Sequence, residues 1–440
     1  MTYSSKIIIF IFTLVPVLLL TGPALPDIAV TISVLYFLIV FLFFKKDFQF
    51  TKNLYFITSI IFWISIIFIS FFAIDKYKSF QDSIIFLRLL MIPIICIYFF
   101  YDTQKKILNS INLIFIIVVF VLIDTLFQYF NYSSEFGFGR DLLGFKSDWY
   151  GRLTGPFGDE LIPGAYVSKF GLLGYLFFIF RKNFKYKNIL EVLYLTLICF
   201  VTFASGERMA LATFLLALFF LLVFLKNKRL IFLFSILFSF ILIFTSLKFH
   251  PFYNDYRIIE STHFHQGLKI EKNFDCDLNI SKKCTKIINL QPSFIKILEN
   301  FKSSAYGEIY QAGLKMFINN PITGIGISNY ETVCNNKNIY KNLMKNYSCA
   351  SHPHNYYIQW LSEGGIITLS AFILLLISIF YLINKNVNII IKFISLASIL
   401  ILFWPIMSTG SLVKNWNGIL TFYIIGLHLS LNNIKIIYRN

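Results

Sequence analysis

Residues Cys349–Ile383 read CASHPHNYYIQWLSEGGIITLSAFILLLISIFYLI, a polar mouth that runs through a Gly-Gly into an unbroken apolar stretch. The apolar half is long enough to cross a bilayer as a helix, since about 20 residues rising about 1.5 Å each span the roughly 30 Å hydrocarbon layer. The same texture recurs along the chain: of 440 residues, 57% are hydrophobic and 14% charged, and Phe alone occurs 53 times. With a mean hydropathy of +0.70, this is the composition of an all-α polytopic membrane protein. The net charge of +17 lies mainly in short lysine clusters between apolar runs and in one long polar segment. That distribution marks topology, so membrane lipids are expected partners and nucleic acid is not.

Twelve apolar runs stand out, near 7–21, 27–44, 54–73, 83–100, 107–129, 164–180, 189–204, 209–225, 230–247, 365–383, 391–408 and 417–432. Alternate connections carry Lys45, Lys46 and Lys52; Lys105 and Lys106; Arg181, Lys182, Lys185 and Lys187; Lys226, Lys228 and Arg229; Lys385; then Lys435 and Arg439. By the positive-inside rule these connections and both termini are cytoplasmic. The first run follows Lys6 and precedes "TGPALP", so a signal peptide is the alternative to an uncleaved first helix. The other connections then lie outside: short ones at 22–26, 74–82, 205–208 and 409–416, a medium loop at 130–163, and a long loop at 248–364 between the ninth and tenth spans. Long loops translocate largely regardless of their lysines. Residues 1–440 thus read as a single integral membrane domain with its polar matter on one face.

Cys96 and Cys199 fall in apolar runs and read as small hydrophobes. Cys276, Cys284, Cys334 and Cys349 lie in the long outer segment, where proximity in sequence suggests disulfides Cys276–Cys284 and Cys334–Cys349. The competing possibility is a zinc site of Cys334, Cys349, His352 and His354, whose spacing matches no usual ligand pattern. "FDCDL" offers an Asp-x-Asp like that of nucleotide-sugar transferases, interrupted by Cys276. Neither a metal nor a cofactor is expected.

Polar clusters on the outer face are the candidates for chemistry. The medium loop carries Arg140, Lys146 and Arg152, then Asp159 and Glu160. In "ASGERMAL" a tight turn holds Arg208 at the membrane surface, where its fork of donors suits a lipid phosphate; the alternative is a snorkelling arginine paired with Glu207. Arg88, within or beside a span, is a costly charge of the kind that is usually functional. If a helix starts at Pro353, then Asn355, Gln359, Ser362 and Glu363 share one side, opposite Tyr357, Trp360, Leu361 and Gly364. That pattern predicts an interfacial helix with its aromatics at headgroup depth, followed by a bend at Gly364 and Gly365. His354 would occupy the first turn, where the positive dipole end favours the neutral imidazole that a general base needs; a capping histidine is the alternative. No P-loop, dinucleotide fingerprint or nucleophile elbow occurs, so ATP-driven and serine-hydrolase chemistry is unsupported.

The histidine stretch resembles the signature of the O-antigen ligase and polymerase superfamily: His, then Asn, Ser or Gln, nine residues, Gly, two residues, then Gly, Thr or Tyr. Here these are His354, Asn355, Gly365 and Thr368. "NNPITGIGISNY" (Asn319 to Tyr330) resembles the Pro-x-x-Gly-x-Gly segment that precedes it, "SGERMAL" resembles the arginine-bearing turn upstream, and "GRLTGPFGDELIPGAYVSKF" is similar to a stretch in one branch. The resemblance covers roughly residues 130–370. It implies a GT-C-like, metal-independent, inverting glycosyltransferase of the bacterial inner membrane with a periplasmic active site. The donor would be a glycan on undecaprenyl diphosphate, and the acceptor lipid A-core for a ligase or another lipid-linked unit for a polymerase. His354 would take the acceptor proton and Arg208 would hold the diphosphate. The ligases have a further arginine in the long loop, where this chain has "SSAYGEIYQAGLKMF"; Arg152 or Lys315 would then supply the second cation. Gathering polar groups on one face favours an enzyme over a transporter, which would place them at the midplane. A scaffold whose long loop binds partners is the remaining alternative.

Overall fold

A membrane leaves the backbone to satisfy its own hydrogen bonds, and the apolar runs accordingly become helices. A computed structural model describes residues 3–45, 49–100, 104–133, 137–147, 151–181, 185–254, 299–336, 343–344 and 348–433. In chain order the helices are α1 (Tyr3–Thr13), α2 (Val15–Leu18), α3 (Ala24–Ile39), α4 (Leu54–Ser70), α5 (Lys76–Phe100), α6 (Gln104–Phe130), α7 (Pro163–Phe180), α8 (Lys187–Ala204), α9 (Arg208–Phe224), α10 (Arg229–Phe249), α11 (Pro251–Asn254), α12 (Ala305–Asn319), α13 (Tyr330–Asn335), α14 (Tyr356–Asn384), α15 (Ile389–Phe403) and α16 (Asn415–Ser430). Among the described residues, seven helices are long and apolar enough to cross a membrane, and α4, α9 and α15 are shorter apolar helices. The run expected at 7–21 is divided, with Pro16 in the first turn of α2, where its missing N–H costs nothing. Among the described residues the strands form one two-stranded ribbon, Tyr132–Ser133 with Gly137–Phe138, within the medium loop. Cys276, Cys284, the Asp-x-Asp stretch, Lys46, Lys182, Lys435 and Arg439 lie outside the described residues.

The connections expected on one face do meet at one end of the bundle. Trp416 Nε1 donates to Leu19 O (2.8 Å), Ile74 N to Ile325 O (3.1 Å), Arg152 Nε to Ser205 O (2.9 Å) and Thr409 N to His354 O (2.9 Å). Arg88 is tied into the same end. It forms an ion pair with Asp27 (2.8 Å) and donates to Thr31 (3.1 Å) and Asn415 (2.9 Å), which joins α3, α5 and α16.

The helix expected from Pro353 begins three residues later, at Tyr356. Asn355 is its N-cap: Oδ1 accepts from Tyr357 N (2.9 Å) and Ile358 N (3.1 Å), while Nδ2 holds Pro405 O (2.8 Å). A short polar side chain that satisfies two orphan N–H groups outweighs a proline's suitability for the first turn. Nor does α14 start out in the membrane interface. Trp360 is fully buried among Phe62, Phe86 and Phe372. On the other side Gln359 Nε2 donates to Glu363 Oε2 (3.1 Å) and Ser411 Oγ (2.7 Å), and Glu363 Oε1 accepts from Tyr330 N (3.3 Å). Helical periodicity shows which residues share a face but cannot distinguish lipid from a packed neighbour.

The expected bend is at Gly365, with φ 61° and ψ −163°, a region open essentially to glycine alone. A straight helix would give the Ile366 N–H to Ser362 O. Instead it donates to Pro321 O (3.0 Å), while Ile325 N serves Ser362 O (3.0 Å) and Gly326 N serves Glu363 O (2.9 Å). The Pro-x-x-Gly-x-Gly segment is thereby spliced into the bent helix. A Cβ on Gly324 would come within 2.6 Å of Gly364 N, and one on Gly365 within 2.8 Å of Gly324 N, so both must be glycine. Gly365→Ala is therefore expected to destabilise the protein by at least about 1–3 kcal/mol from backbone strain alone. Thermal unfolding in detergent measures this, and an unchanged midpoint would show that the splice tolerates a side chain.

Candidate active site

The medium loop reaches the site because α6 holds it at two points one helical turn apart. Asp124 Oδ1 accepts from Leu142 N (3.0 Å), and the buried Gln128 Oε1 accepts from Thr154 N (3.0 Å) and Gly155 N (2.9 Å). Arg152, between these anchors, lies half-buried over the turn from α8 to α9, with Nε on Ser205 O (2.9 Å). Gly206 at φ 78° permits that approach, since a Cβ there would sit 2.9 Å from Arg152 Nε.

Glu207 does not serve as the simple partner of Arg208. Its Oε1 and Oε2 accept from Gly164 N (2.6 Å) and Ala165 N (2.8 Å), two orphan donors at the start of α7. Burial pushes its carboxyl up to about 7, while Arg152, those two N–H groups and Lys169 pull it down. Burial also lowers the proton affinity of Arg152, opposed by Glu207 and Tyr306. Arg208 follows as the first residue of α9, half-buried and within electrostatic range of Arg152. Two guanidiniums thus sit close together beside a carboxylate that is occupied with backbone.

His354 stands ahead of its helix, half-buried, with a φ of 54°, a left-handed conformation that His adopts more readily than most residues. Its ring lies 4.2 Å from that of His352, whose Nε2 meets Thr409 O at 3.2 Å. Burial, reinforced by His352 and opposed by Thr409, lowers the His354 pKa to about 4. The neutral imidazole expected from a helix dipole is therefore obtained by desolvation instead.

Two residues that the sequence alone did not single out complete the arrangement. Lys169, buried in α7, donates to Thr409 Oγ1 (3.2 Å) and Asn417 Oδ1 (2.9 Å), and Asn417 Nδ2 holds Tyr356 Oη (2.7 Å). A lysine inside an apolar run was a usable signal, because such a charge needs built partners. Tyr306, in the first turn of α12, sets its ring edge-on to His354 with centroids 5.6 Å apart. Its hydroxyl is within electrostatic range of both Arg152 and Arg208. No motif could have marked it, since folding alone brings α12 here.

Arg152, Glu207, Arg208, His354 and Asn355 are thus drawn to one end of the bundle around Tyr306. Lys315 lies nine residues along α12 from Tyr306, roughly 13–14 Å away, and is exposed, so Arg152 is the cation beside Arg208. Glu363 and Gly365 belong to the splice beneath the site, and Arg88 to the α3–α5–α16 junction. Cys334 and Cys349 are bonded to each other, which removes them as zinc ligands and anchors the chain just before the histidines. Among the described residues no three His, Cys, Asp or Glu side chains group as metal ligands.

A search of curated proteins finds no match. Residues 192–373, however, match the family model described as O-antigen ligase. That segment runs from α8 past the bend of α14, and so contains Arg208, Tyr306, the spliced glycine segment and His354. Over that segment the chain is similar to the O-antigen ligase family, and the match supports the O-antigen ligase-like superfamily for a chain with several membrane-length apolar helices.

Proposed function

We propose that this protein is an inverting glycosyltransferase that moves a glycan from undecaprenyl diphosphate to a sugar hydroxyl of lipid A-core, on the periplasmic face of the bacterial inner membrane. The observation that carries it is the meeting of a desolvated, neutral His354 with the Arg152–Arg208 pair around Tyr306. In the transfer, the acceptor hydroxyl gives its proton to the His354 imidazole as its oxygen attacks the anomeric carbon. The bond from that carbon to the diphosphate oxygen breaks on the opposite face, and its electron pair leaves with undecaprenyl diphosphate. The leaving group gains one negative charge. Two fixed guanidiniums lower the barrier because they are aimed at charge that grows in the transition state.

Sidedness is supported from both ends. A Cys334–Cys349 disulfide near the histidines suits an oxidising compartment. Lys187, Lys226, Lys228, Arg229 and Lys385 occupy the far ends of α8, α9, α10 and α14, as the positive-inside rule requires of a cytoplasmic face. Lipopolysaccharide from a deletion strain tests the assignment on a gel. Loss of all capping on lipid A-core supports the ligase, a single capped unit indicates a polymerase joining lipid-linked repeats, and an unchanged ladder rejects both.

His354→Ala is expected to abolish transfer while the protein still inserts in the membrane; normal surface glycan in that variant would remove the base. With a His354 pKa of about 4, the base is neutral above that pH and protonated below it. The acid limb of kcat/KM should therefore fall near pH 4, about tenfold per pH unit below it, with no break near the ordinary histidine value of about 6.5. A titration that breaks near 6.5 would contradict a desolvated base. Arg208→Lys should lower kcat at least about tenfold, because a point charge cannot reproduce a bidentate fork; wild-type turnover would exclude the clamp.

A further inference from the structure

We propose that Tyr306 is a catalytic residue, one whose hydroxyl donates a hydrogen bond to the donor's diphosphate in the gap between His354 and the two arginines; this rests on the transfer proposed above. Other tyrosines at this end of the molecule are fully engaged. Tyr310 Oη donates to Met407 O, Tyr330 Oη to Ile309 O (2.8 Å) and Tyr357 Oη to Phe403 O (2.7 Å), while Tyr356 Oη is held by Asn417 (2.7 Å). Tyr306 differs from these: its ring is in contact with His354, yet the residue is 40% exposed and its hydroxyl makes no hydrogen bond among the described residues. A tyrosine that served packing alone would be buried like Tyr330, which is 0% exposed.

Its placement is rigid. Ser304 caps α12 by accepting from Gly307 N (3.1 Å), a bond that closes the first turn around Tyr306. Further along, Gly313 lets α12 lie directly on Ile358 and Ser362 of α14. The ring therefore stands in a T-shaped contact with the imidazole, with its hydroxyl within electrostatic range of both guanidiniums. An anion bound there would receive the hydroxyl hydrogen alongside the arginine N–H groups, donors from three residues converging on one group. The hydroxyl keeps its proton throughout. Its hydrogen bond strengthens as the departing diphosphate gains charge, which is how a preformed donor favours the transition state over the ground state.

The test uses the full-length protein in detergent or nanodiscs with a lipid-diphosphate-linked glycan and a sugar acceptor. Tyr306→Phe keeps the ring and removes only the donor. It should lower kcat roughly ten- to a hundredfold, leave the acceptor KM within about twofold, and leave the unfolding midpoint unchanged. Binding of inorganic diphosphate to the same variant should weaken severalfold. Wild-type kcat or wild-type diphosphate affinity in Tyr306→Phe would overturn the proposal. His354→Ala is assayed in parallel: if it is inactive while Tyr306→Phe is normal, only the role of Tyr306 fails, whereas transfer by His354→Ala removes the underlying reaction as well.

Discussion

The exchange of backbone hydrogen bonds across Gly365 is the constraint from which the polar end of the molecule follows. A bent helix would normally strand N–H and C=O groups, and in a membrane protein such groups are expensive. Here the Pro321–Gly326 segment supplies them, so the bend and the long outer segment each complete the other. The residues just after that segment are in turn held by the start of α5, through Asp75 N on Asn329 Oδ1 (2.7 Å) and Ile327 N on Ser79 Oγ (3.0 Å). The splice positions α12 on one side of it and His354 on the other. Tyr306 can meet His354 only because both are referred to the same few peptide groups.

Around this frame the charges are separated by what each is allowed to bind. Glu207 is saturated by two N–H groups of α7, so it steadies the turn without quenching either arginine by direct pairing. Lys169 is bonded to two uncharged side chains, Thr409 and Asn417, and Thr409 O in turn meets His352. Among the described residues, a cluster in which Arg152, Arg208 and Lys169 stand near the single carboxyl of Glu207 favours a bound anion. Such a balance would suit the diphosphate of the proposed donor.

Much of the architecture was legible in the sequence because hydrophobic run length and lysine placement are direct consequences of the bilayer. Helices fall on the apolar runs, and the connections lacking lysine clusters converge at one end. The bend at Gly365 was legible for a similar reason, since consecutive glycines before a span have few other uses. What the sequence concealed was tertiary. The start of α14 was misplaced because Asn355 competes with Pro353 through hydrogen bonds that only the folded chain displays, and Trp360 was given to the lipid headgroups although its neighbours are Phe62 and Phe372. Tyr306 carries no local mark at all. Its relation to His354 spans two helices and a glycine splice.

One consequence of desolvation is that the imidazole and the guanidiniums are sorted by chemistry rather than by distance. Burial removes the charge from an imidazole long before it removes the charge from a guanidinium, whose intrinsic pKa is about six units higher. The same half-buried end can therefore keep His354 neutral while Arg152 and Arg208 stay cationic. A lysine in place of either arginine would narrow that margin, and a histidine left in water would be partly protonated near neutral pH. Partial burial of the whole cluster, rather than any single hydrogen bond, is what would let one site hold the proposed proton acceptor and a bound anion side by side.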